Sequence, residues 1–201
     1  MKKFCISLPI ERPERTETAK RHFAEVGLEG VQFIHGFASE VSGLITAHPY
    51  EMDNPGSGFN MGPKPVGIFL GHYVTWQVCS FLDDDLFMIM EDDVQFLPGW
   101  DRRLAKALVE VPDDFDVLFL GSCDAANKPR RLIKGEVFEI KYPQCLHCYL
   151  VRKKALGYML ATQRKVYGPM DCTLIFHTWP ALKVYTLFPR LAAQFNTEIS
   201  E

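Results

Sequence analysis

Glu91, Asp92 and Asp93 follow directly on Leu86-Phe87-Met88-Ile89-Met90, the longest apolar run of the chain. Three adjacent carboxylates repel one another, and a divalent cation gives a reason for them to stand at the end of a buried strand; all-oxygen ligation suits Mg²⁺ or Mn²⁺. In open α/β sheets, ligands bind beyond the carboxyl ends of the strands, which is where this trio falls. An acidic turn in solvent is the other reading, and it suits Asp83-Asp84-Asp85. For Glu91 to Asp93 it explains neither the apolar strand before them nor the apolar Val94 and Phe96 after them.

Four further groups of residues carry chemistry. Asp171 follows Gly168-Pro169, in what reads as the first turn of a helix, where the dipole keeps a carboxylate ionised; such a residue takes up a proton or caps the helix. Arg12 and Arg15 are either phosphate or uridine contacts of the fork type or two solvated residues at a helix start. His72 lies on the apolar face of its helix, as a hydrogen-bonded core residue or as part of a donor site. The cluster Cys145-Leu146-His147-Cys148 has the composition of half a zinc site or a redox pair, but no second Cys/His pair follows, and its alternation through Val151 suits a strand. His177 is left out of the metal set, because six helical positions put it about 240° round from Asp171.

The elements that must position these residues are legible from periodicity. Apolar runs at Lys3 to Leu8, Val31 to Ile34, Leu86 to Met90, Val117 to Leu120 and Val184 to Phe188 predict strands, and Val137 to Tyr142 with Leu146 to Val151 predicts an antiparallel pair. Helical spacing covers Arg12 to Val26, Trp100 to Val109, Lys153 to Arg164 and the segment from Gly168-Pro169. A helix is also predicted from Val66 to Leu82, with Ile68, Phe69, His72, Tyr73, Trp76 and Cys79 on one buried face. Strands alternating with helices predict an α/β fold, one domain over residues 1–201 with a mainly parallel sheet and helices on both faces. Residues 36–65, rich in Gly, Pro, Ser and Asn, read as a flexible donor-site flap.

Composition narrows the partners. With 22 basic against 25 acidic residues and a net charge of −3, and without a basic stripe interleaved with aromatics, the chain is not built for nucleic acid. The five-residue apolar run falls far short of the roughly 20 residues of a membrane helix, so we expect no transmembrane segment and at most peripheral membrane contact. Met1 to Leu8 turns polar too soon for a signal sequence and reads as a first strand. The six cysteines are scattered through strands and helices and read as reduced thiols, which predicts a cytoplasmic setting.

The order of these motifs resembles glycosyltransferase family 25, the group that contains lipooligosaccharide and procollagen galactosyltransferases. The resemblance rests on Ile6-Ser7-Leu8 with Arg12-Pro13-Glu14-Arg15, Gly67-Ile68-Phe69-Leu70-Gly71-His72 with Trp76, Glu91-Asp92-Asp93, Gly168-Pro169-Met170-Asp171, and Val184-Tyr185 with Pro189 and Gln194. It departs from the family pattern at Gly71, where a serine is usual. The resemblance implies a GT-A-like, nucleotide-diphospho-sugar transferase fold and a Mn²⁺-assisted (or Mg²⁺-assisted) inverting transfer. The implied donor is UDP-galactose or UDP-glucose, and the implied acceptor a hydroxyl on a glycan, a lipid-linked sugar such as lipopolysaccharide, or a protein. Carried onto this sequence, it makes Asp93 and Glu91 metal ligands, Asp171 the catalytic base, Arg12, Arg15, His72 and Asp92 donor contacts, and Gln194 an acceptor contact. Two other classes compete with it: a metal-dependent phosphohydrolase or nucleotidyltransferase, and a non-catalytic sugar-nucleotide-binding module of the same fold.

Overall fold

In the computed structural model, which describes residues 1–10, 12–36, 63–123, 130–164, 166 and 168–195, the apolar runs of the sequence become strands of one sheet. These are β1 (Lys2–Ser7), β2 (Val31–His35), β3 (Leu86–Glu91), β5 (Val117–Cys123), β6 (Arg130–Lys134), β7 (Val137–Ile140), β8 (Gln144–Arg152) and β9 (Val184–Leu187). They line up in the order β2-β1-β3-β8-β5-β9-β7-β6, while β4 (Val94–Phe96) and β10 (Ala192–Gln194) form a small antiparallel sheet of their own. β2, β1 and β3 run parallel, and so do β5 and β9. β8 enters antiparallel between β3 and β5, and β7 and β6 close the edge antiparallel beyond β9. The sheet is therefore mixed, with only β8 and β7 opposing the common direction.

Helices α1 (Pro13–Glu25), α2 (Pro63–Phe81), α3 (Trp100–Glu110), α4 (Lys153–Thr162) and α5 (Met170–His177) cover both faces. Successive strand side chains point to opposite sides. Phe4, Ile6, Phe87 and Ile89 accordingly pack with Phe69 and Trp76 of α2, Leu156 of α4 and Leu174 of α5. Cys5, Met88 and Met90 pack with Ala19 and Phe23 of α1 and with Leu104 and Ala107 of α3. The predicted buried face of α2 is present, with Phe69, His72, Trp76 and Cys79 all buried. Gly71 lets this helix close on β1, since a Cβ there would stand 2.7 Å from Ile6 Cγ2. Close packing thus explains the glycine at a place where the family pattern has a serine.

Two expectations are corrected. β8 does not pair with β7: its apolar residues from Leu146 to Val151 are buried on both sides, a pattern that only an interior strand satisfies, and it lies between β3 and β5. The half-buried β7 goes to the edge. α2 begins at Pro63, inside the predicted loop, since prolines are tolerated in a first helical turn where no N–H bond is lost. The rest of the predicted flap, residues 37–62, lies outside the described residues.

β4 is tied to α1 by a histidine that periodicity does not single out. His22 Nε2 accepts the Phe96 N–H at 2.8 Å, and its ring stacks on Phe96 with 13° between the planes. Burial lowers its pKa from the ordinary 6.5, with Glu25 pulling the other way. A group held neutral by folding takes its proton first in the unfolded chain, so its stabilisation is present above about pH 6.5 and is lost as pH falls below that value. We expect His22→Ala to cost about 1–3 kcal/mol near neutral pH, because the buried Phe96 amide loses its acceptor. The variant should also show a shallower loss of stability than wild type between about pH 7 and 5. Urea denaturation at both pH values checks this, and parallel pH slopes would remove His22 as the cause.

Candidate active site

Glu91 ends β3 after four side chains with no exposure at all, Phe87 to Met90, and its own side chain is only 18 % exposed. It is held by a buried chain of hydrogen bonds. Trp76 Nε1–H donates to Tyr149 Oη at 2.8 Å, Tyr149 Oη lies 3.1 Å from His72 Nδ1, and His72 Nε2 lies 3.1 Å from Glu91 Oε1. Every group is satisfied when Tyr149 O–H donates to Nδ1 and Nε2–H donates to the carboxylate. Burial pushes the Tyr149 pKa well above its ordinary value against the pull of the Trp76 bond, so the hydroxyl keeps the proton that it donates. Burial also acts to raise the Glu91 pKa. The hydrogen bond from His72 and the Arg15 charge act against it, and the carboxyl ends below its ordinary value.

Asp92 and Asp93 form the turn beyond β3 and share one guanidinium: Arg15 Nη2 lies 2.6 Å from Asp92 Oδ1 and 2.8 Å from Asp93 Oδ2. Asp92 Oδ2 also accepts the Leu8 N–H at 3.4 Å. Burial raises the Asp92 pKa against the pull of Arg15. Burial and the Glu91 charge push Asp93 up to about 6, again against Arg15. Asp93 Oδ1 is buried with no hydrogen-bond partner among the described residues.

A cleft of about 350 Å³ opens at the carboxyl edge of the sheet. Its walls bring Glu91 of β3 together with Ile68 of α2, Cys145 of β8, Met170 and Asp171 of α5 and Gln194 of β10. Asp171 Oδ1 accepts the Cys172 N–H at 2.9 Å and Oδ2 the Cys145 N–H at 3.3 Å, which fixes the carboxylate against the cleft wall. Cys145 makes that second bond from a left-handed backbone, φ 64°, the only such non-glycine among the described residues. Its sulfur is bonded to Cys123 at the end of β5. Gly121 lets β10 and β8 meet beneath the cleft, since a Cβ there would overlap Ala192 O and stand 2.5 Å from His147 Nε2.

The structure thus gathers Glu91, Asp171 and Gln194 on one cleft and places His72 directly behind Glu91. Asp92 and Asp93 do not join Glu91 in a three-carboxylate nest: among the described residues, the group of three potential ligand atoms lying close together is Cys123, Cys145 and His147. Arg15 is an ion-pair partner of the two aspartates. Arg12 is the residue before α1, its N–H donating to Leu8 O, and His177 is exposed at the far end of α5, as the helical spacing requires. The expectation of six reduced thiols is corrected at Cys123 and Cys145, whose pairing across 22 positions leaves no spacing signature in the sequence. The reducing compartment inferred from those thiols therefore loses their support. Sequence reasoning also missed Tyr149, which reads as one more apolar position of a buried strand. A phenol at an inward-facing strand position, needing a partner for its hydroxyl, is the signal that points to it.

A sheet of this order with a carboxylate-lined cleft at its carboxyl edge is the nucleotide-sugar transferase, GT-A-like fold. Over 97 % of its length the chain superposes on 94 % of a glycosyltransferase involved in the glycosylation of the major capsid of PBCV-1, with a TM-score of 0.50 and 11 % identity. The glycosyltransferase GlyE of Streptococcus pneumoniae TIGR4 gives a TM-score of 0.50 at 10 % identity, over 93 % of this chain and 45 % of that one. The chain belongs to glycosyltransferase family 25, described as an LPS biosynthesis protein family, whose profile matches residues 1–134. That stretch includes Arg12, Arg15, His72 and Glu91 to Asp93 and stops short of Asp171 and Gln194. Curated relatives named glycosyltransferase 25 family member are 26 % identical over 132 residues in Aedes aegypti and 28 % over 127 residues in Drosophila melanogaster. These matches take in 55 % and 59 % of this chain, and about a fifth of each relative's length, 19 % and 20 %.

The hydrogen-bond chain behind Glu91 generates a test. Tyr149→Phe removes the acceptor of the Trp76 indole and the donor to His72 together, leaving buried polar atoms unpaired. We expect a loss of about 1–3 kcal/mol in unfolding free energy, read by urea denaturation. A variant as stable as wild type would show that the chain does not hold Glu91 in place.

Proposed function

We propose that this chain, taken as one transferase domain, moves galactose or glucose from a UDP-sugar to a hydroxyl of a glycan, lipid-linked or protein acceptor, with inversion and with the help of Mn²⁺ or Mg²⁺. The observation that carries the reading is the meeting of Glu91 and Asp171 on one cleft at the carboxyl edge of the sheet, in a chain of this family. Family membership and fold support a transferase, and the chemistry of the cleft residues supports the rest.

The oxygen donors fit a hard cation. Asp93 Oδ1 is buried and has no partner among the described residues, and Mg²⁺-like ions are held by one or two carboxylates and complete their shells with water and phosphate oxygens. Asp93 and Glu91 would hold the ion, which when bound neutralises charge on the diphosphate leaving group. Arg15 fixes Asp92 and Asp93, and Arg12, the residue before α1, would contact donor phosphate. His72 and Tyr149 orient Glu91. Gln194, on the same cleft as Asp171, meets the acceptor. An acceptor hydroxyl attacking the anomeric carbon must lose its proton on the side opposite the leaving group, and Asp171 takes it there.

Titration calorimetry with UDP should give an affinity that falls sharply in EDTA, and Asp93→Ala should lose the metal dependence; equal affinity with and without metal would defeat the cation assignment. Asp171→Asn keeps one of the two oxygens that accept backbone N–H groups, so stability should fall by no more than about 1 kcal/mol. Turnover of the UDP-sugar should drop by roughly 10² to 10⁴ with donor affinity unchanged. Near-normal turnover would leave Asp171 as a helix-end residue only.

A further inference from the structure

The side chains of Cys123, Cys145 and His147 lie beside the proposed carboxylate machinery and have no role in it. Their two sulfurs and a ring nitrogen all fall within 4.8 Å of one another. We propose that these three residues form a binding site for a soft divalent cation, Zn²⁺ above all, which becomes available when the Cys123–Cys145 bond is reduced.

Geometry carries the assignment. Tetrahedral zinc, with bonds of about 2.3 Å to sulfur and 2.0–2.1 Å to nitrogen, holds its ligand atoms roughly 3.5–3.8 Å apart, so the three donors need move little once the sulfurs part. They stand on a fixed frame, since Cys123 ends β5 and Cys145 and His147 open β8, which is paired on both sides. His147 is 1 % exposed, and its Nδ1 has no partner among the described residues. Its Nε2, 3.4 Å from Ala192 O, suits an N–H that donates to that carbonyl. Nδ1 then carries the lone pair. A histidine whose second nitrogen is tied to a backbone carbonyl is the form in which imidazole binds metals. Gln194 Oε1, 3.6 Å from Cys123 Sγ, or a water from the cleft would complete the shell.

Thiolate and imidazole donors select zinc over the hard ions that suit Glu91 and Asp93, so the two sites differ in the metal they take. Three of the four remaining thiols compete poorly, because Cys5, Cys79 and Cys148 are buried and burial raises their pKa values; the fourth, Cys172, is half-buried and serves as the control in the test. Opening the site takes two electrons and two protons from a dithiol, which leaves as its own disulfide; the metal then displaces the two protons from the cysteine thiols. Because the Cys145 N–H donates to Asp171 Oδ2, the state of this site reaches the cleft.

The test uses the whole chain, reduced with a phosphine under argon, desalted, and titrated with Co²⁺ and then Zn²⁺ beside an unreduced sample. We expect the reduced chain to bind a single Co²⁺ with a thiolate-to-metal charge-transfer band, to release it to Zn²⁺, and the unreduced chain to show no band. Cys123→Ser and His147→Ala, each reduced, should weaken Co²⁺ binding by about tenfold or more, while Cys172→Ser should leave it intact. The comparison of reduced with unreduced wild type stands even where a variant folds poorly. No band in the reduced chain, a band in the unreduced chain, or a band lost in Cys172→Ser and kept in the other two variants would each overturn the proposal.

Discussion

Glu91 carries a charge at the end of a strand whose preceding four side chains are wholly buried, and much of the surrounding structure follows from keeping it charged there. An ionised carboxylate leaving water without a partner would be neutralised by its own pKa shift. Here His72 supplies the partner, Tyr149 fixes the ring that supplies it, and Trp76 fixes Tyr149. The four residues come from three elements: Glu91 from β3, His72 and Trp76 from α2, and Tyr149 from β8. The hydrogen bonds therefore also lock the helix and the two strands in one relative register, and polar satisfaction and packing reinforce each other.

The same neighbourhood moves three carboxyls in different directions. Glu91 shifts down because His72 bonds it directly and the Arg15 charge adds to it. Asp92 and Asp93 shift up because they share a single guanidinium and burial outweighs it. One cation beside three acids leaves the cluster short of positive charge. Asp93 Oδ1, buried and without a partner among the described residues, is the structural trace of that shortage. Separating the pKa values of neighbouring acids is how a site assigns them different tasks.

Much of the fold is legible in the sequence because apolar period and length are local properties. The run Leu86 to Met90 could only be an interior strand, and the spacing of Phe69, His72, Trp76 and Cys79 could only be a helix face. Motif order singled out Glu91, Asp171 and Gln194, and the fold brings these three to one cleft. The partner of β8 was not legible, because pairing order is decided by which strands can be buried on both faces, a comparison across the whole chain. Tyr149 and the Cys123–Cys145 pair escaped for a related reason. Their significance lies in contacts 73 and 77 positions away for the tyrosine and 22 for the disulfide, and no short window contains both ends.

The reversed direction of β8 matters more for chemistry than for stability. In a fully parallel sheet, only strand ends and the loops after them reach the carboxyl edge, and every strand beginning lies at the opposite side. Because β8 runs against β3 and β5, its opening residues lie beside their closing ones, Cys148 opposite Met90 and Gln144 opposite Cys123. Cys145 and His147 therefore arrive at the edge that already holds Glu91. From there the Cys145 N–H reaches Asp171 on α5, joining the beginning of one element to the beginning of another across the cleft. A single antiparallel strand thus brings the opening residues of one element to the edge that holds the closing residues of its neighbours. It does so on paired backbone, where positions are held more tightly than on a loop.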